Sequence, residues 1–557
     1  MLCWDQEVSE LHRQQATETK QWKMSINIPG LIGMIVFYII ILIIGIVAGR
    51  KKNKKGDSED LLVAGRNLGF FVAVMTHAAT GCDGAYINGT AEVVGRDGIV
   101  WAFVPVTMAI GICIAAIFYA PKVREKKYTT IFDLFQEKYG QRIGGLLFFN
   151  ELMADVFWES AILSALGSTL HIILGIEMST AVIVSACVAV FYTFFGGLYS
   201  VAYTDVAQLL LIFIGLVLAL PFAWVHPAVD FSRIQHTWRG TVENKQIPVY
   251  IDTVLITIGG GFTWQAMYQR VLACKTTRMA RDSVLISSFV VLLLGFPPAI
   301  IGVIGAATDW NQTSYAGGPD LSYDEFGYVL PLVLAYLCPM VVSVFGLGAI
   351  SAAVMSSADS IVLAAGAIIS HNLYKNLFRP KASQRELTWV LRASILITGA
   401  MGTVIAIAVK SVYGLFILCV DVMYVIQMPE LTCALFVDKA NGYGSLVGFI
   451  VGLVLRVLAG EPVLSFPAII KYPGYDPEHG QLFPHKTFAM MICFGCIIGV
   501  SLLTNYLFTN NKLDKRFDIF HCFYENKSKQ CENDIELKSK RSIDEDTNQE
   551  TMAFIKT

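Results

Sequence analysis

Apolar residues run along this chain in long blocks separated by short polar stretches. A hydrocarbon core of about 30 Å takes about 20 apolar residues in a helix. Runs of that size predict an all-α polytopic membrane protein with about thirteen spans. They fall near residues 29–49, 68–91, 98–120, 144–170, 178–196, 204–226, 250–272, 283–306, 342–371, 387–408, 412–436, 441–459 and 486–508. The run Leu330–Leu337 is too short to span and is expected to cap the outer face. Residues 1–27 are polar, lack a signal-peptide core and form an expected extracellular extension. Met24 is an alternative start, because the membrane pattern begins just after it. Residues 28–509 form the expected transmembrane domain, and 510–557 an expected disordered cytoplasmic tail.

Basic residues orient the spans. Arg50, Lys51, Lys52, Lys54 and Lys55 follow the first span, and Lys122, Arg124, Lys126 and Lys127 the third. Lys275, Arg278 and Arg281 follow the seventh, and Lys375, Arg379, Lys381 and Arg385 the ninth. All share one side, which the positive-inside rule makes cytoplasmic. The N-terminus is then expected outside and the C-terminus inside. Asn311-Gln312-Thr313, a glycosylation acceptor sequence, falls in an outer loop. A second acceptor, Asn88-Gly89-Thr90, lies within a span and is expected to be buried; a third, at Asn526, should stay bare in the tail.

Composition sharpens the class. Hydrophobic residues make up 55% of the chain and charged ones 15%, against about a quarter charged in soluble proteins. The 42 Lys+Arg and 44 Asp+Glu cannot coat the surface of several soluble domains, which excludes a soluble multidomain enzyme. A net charge of −2 gives no reason to expect nucleic acid. The cysteines show no paired framework, and the Cys493/Cys496 pair sits inside an apolar run.

The informative residues are polar ones inside the spans. The second span contains His77, Thr80, Gly81, Cys82, Asp83, Gly84 and Asn88, a poor helix. The seventh is interrupted at Gly259-Gly260-Gly261-Phe262-Thr263-Trp264-Gln265. Broken helices at membrane depth are tolerated where they are buried in protein or line a cavity. A pair of them five spans apart is the mark of an inverted-repeat transporter, although glycine used for close helix packing is the plainer alternative. Ser356 and Ser357 in the ninth span offer hydroxyl oxygens to a small hard cation, or bond back to their own helix. Glu151, Asp155 and Glu159 share one face of the fourth span with Trp158, as a cavity wall or a paired interior stripe.

Gly196–Gln208, read with Tyr86–Glu92, Trp264–Leu272, Thr308–Thr313, Phe345–Ser360 and Gly460–Pro462, resembles the sodium/solute symporter family. The resemblance runs from Met24 to about Phe508. It implies a five-plus-five inverted repeat over spans two to six and seven to eleven. It also implies sodium-driven, chloride-dependent choline uptake across the plasma membrane of nerve terminals, supplying acetylcholine synthesis. The family's sodium site maps onto Ala79, Cys82, Ala353, Ser356 and Ser357. Its choline cage maps onto Trp158 and Trp264, beside Tyr86. Two cage aromatics are replaced here, by Gly81 and Met108. At about 0.5–2 kcal/mol per ring, their loss would weaken choline binding roughly tenfold to several hundredfold. Asp83 replaces a glycine of the choline-transporting members and is expected to lend direct charge to a cationic site, unless it pairs with His77 or sodium. Asp205 and Asp359 are expected to serve gating and coupling.

The expected function is therefore sodium-coupled choline import, with Na+ and Cl− as ions and no cofactor. The alternatives are a symporter for another organic cation or solute, and a sodium sensor or leak channel. No catalytic constellation or phosphate loop is present to suggest an enzyme.

Overall fold

The computed structural model describes residues 28–50, 62–195, 198–409, 411–477, 480–520 and 522–523. Among these, the architecture is helical, with isolated β-bridges only. Among the described residues, ten helical segments are long and apolar enough to cross a membrane. The expected count of about thirteen is reached only if the shorter apolar helices Phe70–Gly81, Met178–Phe191 and Gly442–Leu458 are included.

A peripheral helix, α1 (Ile28–Arg50), comes first, and exposes Ile32, Ile39 and Ile43 outward, as a lipid-facing helix must. The first set of five spans follows. It comprises the broken pair α2 (Phe70–Gly81) and α3 (Gly84–Asp97), then α4 (Val104–Ile114) with its continuation to Glu125. A short helix, α5 (Phe132–Tyr139), leads into α6 (Gln141–Leu174), α7 (Met178–Phe195) and α8 (Leu198–Trp224). The second set opens on another broken pair, α9 (Ile247–Gly260) and α10 (Gln265–Ala273). It continues through α11 (Thr277–Leu294) with α12 (Phe296–Ala307), α13 (Val329–Tyr336), α14 (Met340–Ala367), α15 (Gln384–Ala408) and α16 (Val412–Val422) with α17 (Met428–Phe436). Helices α18 (Gly442–Leu458) and α19 (His485–Thr509) pack together after it.

The run at Leu330–Leu337 is the short helix α13, as its length predicts. Both anticipated interruptions are real breaks in the backbone. The π-turns at Ala115–Tyr119, Ile368–Phe378 and Met423–Gln427 were not foreseen; they carry no glycine or proline signal.

α6 and α14 form the buried centre: Ala154–Leu170 and Gly346–Ala367 are shielded all round. Small residues let backbones approach there. A Cβ on Gly84 would lie 2.3 Å from Val354 Cγ2, so only glycine lets the start of α3 seat against α14. Gly260 is equally constrained, with the Val420 carbonyl 2.1 Å from any added Cβ. The expected tail begins with a docked stretch: Tyr443 donates to the Phe517 carbonyl, and Phe508 stacks on Phe523. Residues 1–27 and 524–557, with Asn526, lie outside the described residues.

Candidate functional site

The site is built where the two breaks face α6 and α14. α2 stops at Gly81, and Cys82 leaves helical geometry at φ −108°, ψ 63°. Asp83 is extended and caps α3, accepting the Tyr86 N–H on its carboxylate. In the second break Thr263 donates its hydroxyl to the Gly260 carbonyl at 3.1 Å, and Trp264 turns extended at φ −72°, ψ 134°. No side chain of its own caps α10. Instead Glu151 of α6 accepts the Gln265 N–H at 2.8 Å. Each half-helix thus presents its positive N-terminal end to a buried carboxylate, the favourable pairing for a helix dipole.

Between the breaks, Trp158 and Trp264 meet edge to face, ring centroids 4.3 Å apart. Trp158 donates its indole N–H to the second oxygen of Asp83. With His77, Gly81, Met108 and Phe416, these rings line an internal cavity of about 30 Å³. Larger clefts of about 1210 and 810 Å³ lie at the two ends of the molecule, one beside Lys122 and Tyr139 and one beside Arg96 and Tyr413.

Of the substrate residues expected from sequence, Gly81, Met108, Trp158 and Trp264 meet on this cavity. Asp83 and Tyr86 do not line it. Asp83 stands behind Trp158, both carboxylate oxygens engaged, and does not pair with His77. Tyr86 is buried, its hydroxyl donating to the Val291 carbonyl at 2.8 Å. Direct charge from Asp83 at the cavity wall is therefore not what the geometry provides: its charge acts through the Trp158 indole. Phe416 is a wall residue the sequence did not signal, since it is one aromatic among many in an apolar span.

Of the expected sodium ligands, the structure brings Ser357 to Ala79. Ala79, Cys82, Ala353, Ser356 and Ser357 are all fully buried. The Ser357 hydroxyl lies 3.5 Å from the Ala79 carbonyl, joining α14 to the first break. The oxygen chemistry fits a hard monovalent cation. Ser356 donates to Asp205, which also accepts from Thr76 and pairs with Arg270 at 3.1 Å. Arg270 further donates to Thr76 Oγ1 at 2.8 Å and Ser360 Oγ at 2.6 Å. Asp205 therefore ties α2, α8, α10 and α14 together. Sequence reading had no means of pairing it with Arg270. Asp359 accepts from Thr193 of α7.

At the far end of α3, Glu92 accepts the Ser411 hydroxyl at 2.7 Å and the Tyr413 N–H at 3.0 Å, joining this half-helix to the start of α16. On α6, both Glu159 oxygens and one Asp155 oxygen are buried without hydrogen-bond partners. Asn311 is exposed in its loop, and Asn88 is buried, donating to the Gly84 carbonyl.

Comparison with known proteins accords with this geometry. Residues 61–452 match the family model described as the sodium:solute symporter family. The high-affinity choline transporter 1 of Drosophila melanogaster is 46% identical over 501 residues, covering 89% of this chain and 82% of that protein. The human high affinity choline transporter 1 is 43% identical, covering 89% of each. Among solved structures, a sodium-coupled sialic acid symporter in a substrate-bound outward-open state aligns with a TM-score of 0.69 at 18% identity, covering 85% of this chain and 97% of that one.

Proposed function

Because the chain belongs to the sodium:solute symporter family, and is a multi-pass membrane transporter rather than an enzyme, we propose that its cargo is choline, carried inward with sodium. The observation that carries this reading is the Trp158–Trp264 pair on the cavity between the broken helices. A quaternary ammonium donates no hydrogen bonds. Aromatic faces hold it through cation–π attraction of about 0.5–2 kcal/mol per ring.

Sodium at Ala79, Cys82, Ala353, Ser356 and Ser357 would join the first break to α14 and favour the substrate-binding arrangement by differential affinity. The cavity rings Trp158 and Trp264 are buried, so loading requires the walls to part. Separation of Glu92 from Ser411 and Tyr413 is the matching step toward the cleft beside Arg96. Asp205 holds the inner crossing, and Asp359 ties α14 to α7 through Thr193. A membrane potential of about −60 mV favours entry of each positive charge by roughly 1.4 kcal/mol. A tenfold sodium gradient adds about 1.4 kcal/mol more.

Chloride dependence, a plasma-membrane location with the N-terminus outside, glycosylation at Asn311 and supply of choline for acetylcholine synthesis at synaptic membranes complete the proposal. The basic loops support the orientation. The second reading, a symporter for another organic cation, is favoured by Gly81 and Met108 standing on the cavity wall in place of rings. Sodium-dependent uptake of labelled choline, with and without the competitive blocker hemicholinium, tests the proposal. Substrate-independent sodium current with no accumulation would overturn it.

A further inference from the structure

The cavity has an aromatic side and an unfilled polar position. His77 is buried on α2 and lines it. Its Nδ1 lies 2.6 Å from the Ala73 carbonyl one turn back. A carbonyl only accepts, so Nδ1 is the donor. In the neutral ring that leaves Nε2, at the far edge of the imidazole, with a lone pair. Nε2 is buried and without a partner. Thr80 and Ser287 donate their hydroxyls to their own helices, at 2.8 Å to Thr76 and 2.7 Å to Val284.

A buried acceptor left unmade is costly, and a ligand that supplies a donor recovers that cost. Nothing in the tryptophan pair distinguishes one alkylammonium from another, because ring faces read charge and shape alone. A hydroxyl is read by a directional group, and His77 carries an unmatched acceptor on a residue of the cavity wall.

We propose that His77 Nε2 accepts a hydrogen bond from a hydroxyl on the substrate, making this residue the selector for alcohol-bearing ammonium compounds. The proposal rests on the transport reading above and adds the half of the ligand that the rings do not read. A carboxylate-bearing ammonium would present acceptors to an acceptor and be disfavoured at the same position.

The test is competition against sodium-dependent uptake of labelled choline by the full chain in cells. The competitors are unlabelled choline, its O-methyl ether (which keeps the oxygen and loses the donor) and ethyltrimethylammonium (which lacks both). The native chain should prefer choline over either analogue by about tenfold, the worth of one net hydrogen bond with some desolvation. His77→Met should bring the ratio close to one, and His77→Gln, which keeps an acceptor, should retain part of it. Surface amounts are measured for each variant. Equal competition by choline and the ether in the native chain overturns the proposal without any variant. So does an unchanged ratio in His77→Met. Absence of sodium-dependent choline uptake by the native chain at normal surface levels overturns the transport reading itself, and this proposal with it.

Discussion

Trp158 donates its indole N–H to the Asp83 carboxylate, which caps α3 with its other oxygen. One acidic side chain thereby fixes the position of a cavity ring and the start of a half-helix. A carboxylate on the N–H edge of an indole also draws negative charge toward the ring face, where a cation would sit.

Asp83→Asn keeps an oxygen for capping or for the indole but removes the charge. Choline uptake is expected to fall through a raised KM while surface expression holds. Asp83→Ala removes the cap and strands the Trp158 N–H, at about 1 kcal/mol for the first and about 1–3 kcal/mol for the second. It should lower surface expression as well. Uptake kinetics normalised to surface-labelled protein separate the two outcomes. Unchanged KM in both variants would remove Asp83 from the substrate site.

Met108 lines the cavity where an added ring would face the cation. Met108→Tyr is expected to tighten choline binding by about 0.5–2 kcal/mol, or roughly twofold to thirtyfold in the half-saturating concentration. Concentration dependence of labelled uptake reads this directly. A looser site would show that Met108 packs against substrate rather than standing in for a ring.

Ser357 touches the Ala79 carbonyl at 3.5 Å, whereas Ser356 is already engaged by Asp205. Ser357→Ala should raise the sodium concentration for half-maximal uptake about tenfold, the scale of one lost polar contact to a charge. Choline affinity at saturating sodium should change little. A sodium titration of uptake at fixed choline decides it.

Arg270 and Asp205 form a fully buried ion pair at 3.1 Å. Breaking such a pair from one side leaves a stranded charge and costs about 3–5 kcal/mol. Arg270→Met and Asp205→Asn are each expected to lower surface expression and thermal stability. The double variant should recover part of both. Additive losses would show that the two act through separate contacts.

Much of the molecule was legible because its signals are local. Run length gave the spans, and the 412–436 segment appears with those limits as α16, its π-turn and α17. Glycines with polar neighbours gave both breaks. Trp158, Trp264, Ser356 and Ser357 stood out as polar or aromatic residues in their spans, and the resemblance gave them their expected roles. Three features stayed hidden. Glu151 caps a half-helix on another span, 114 positions away. Phe416 faces the cavity as one apolar residue among many in its span. The π-turns follow from packing rather than from residue type.

By itself the sequence determined a membrane class, the apolar runs that form its long helices and where helices must break, because bilayer thickness and backbone hydrogen bonding act on contiguous residues. Tertiary structure alone decided which polar atoms meet. Asp83 reads in sequence as a charge offered to substrate; packing sets it 75 positions from its partner Trp158 and engages both its oxygens. His77 reads as a lone histidine in a span. Its helix geometry commits one nitrogen to Ala73, and its neighbours leave the other buried and unmatched.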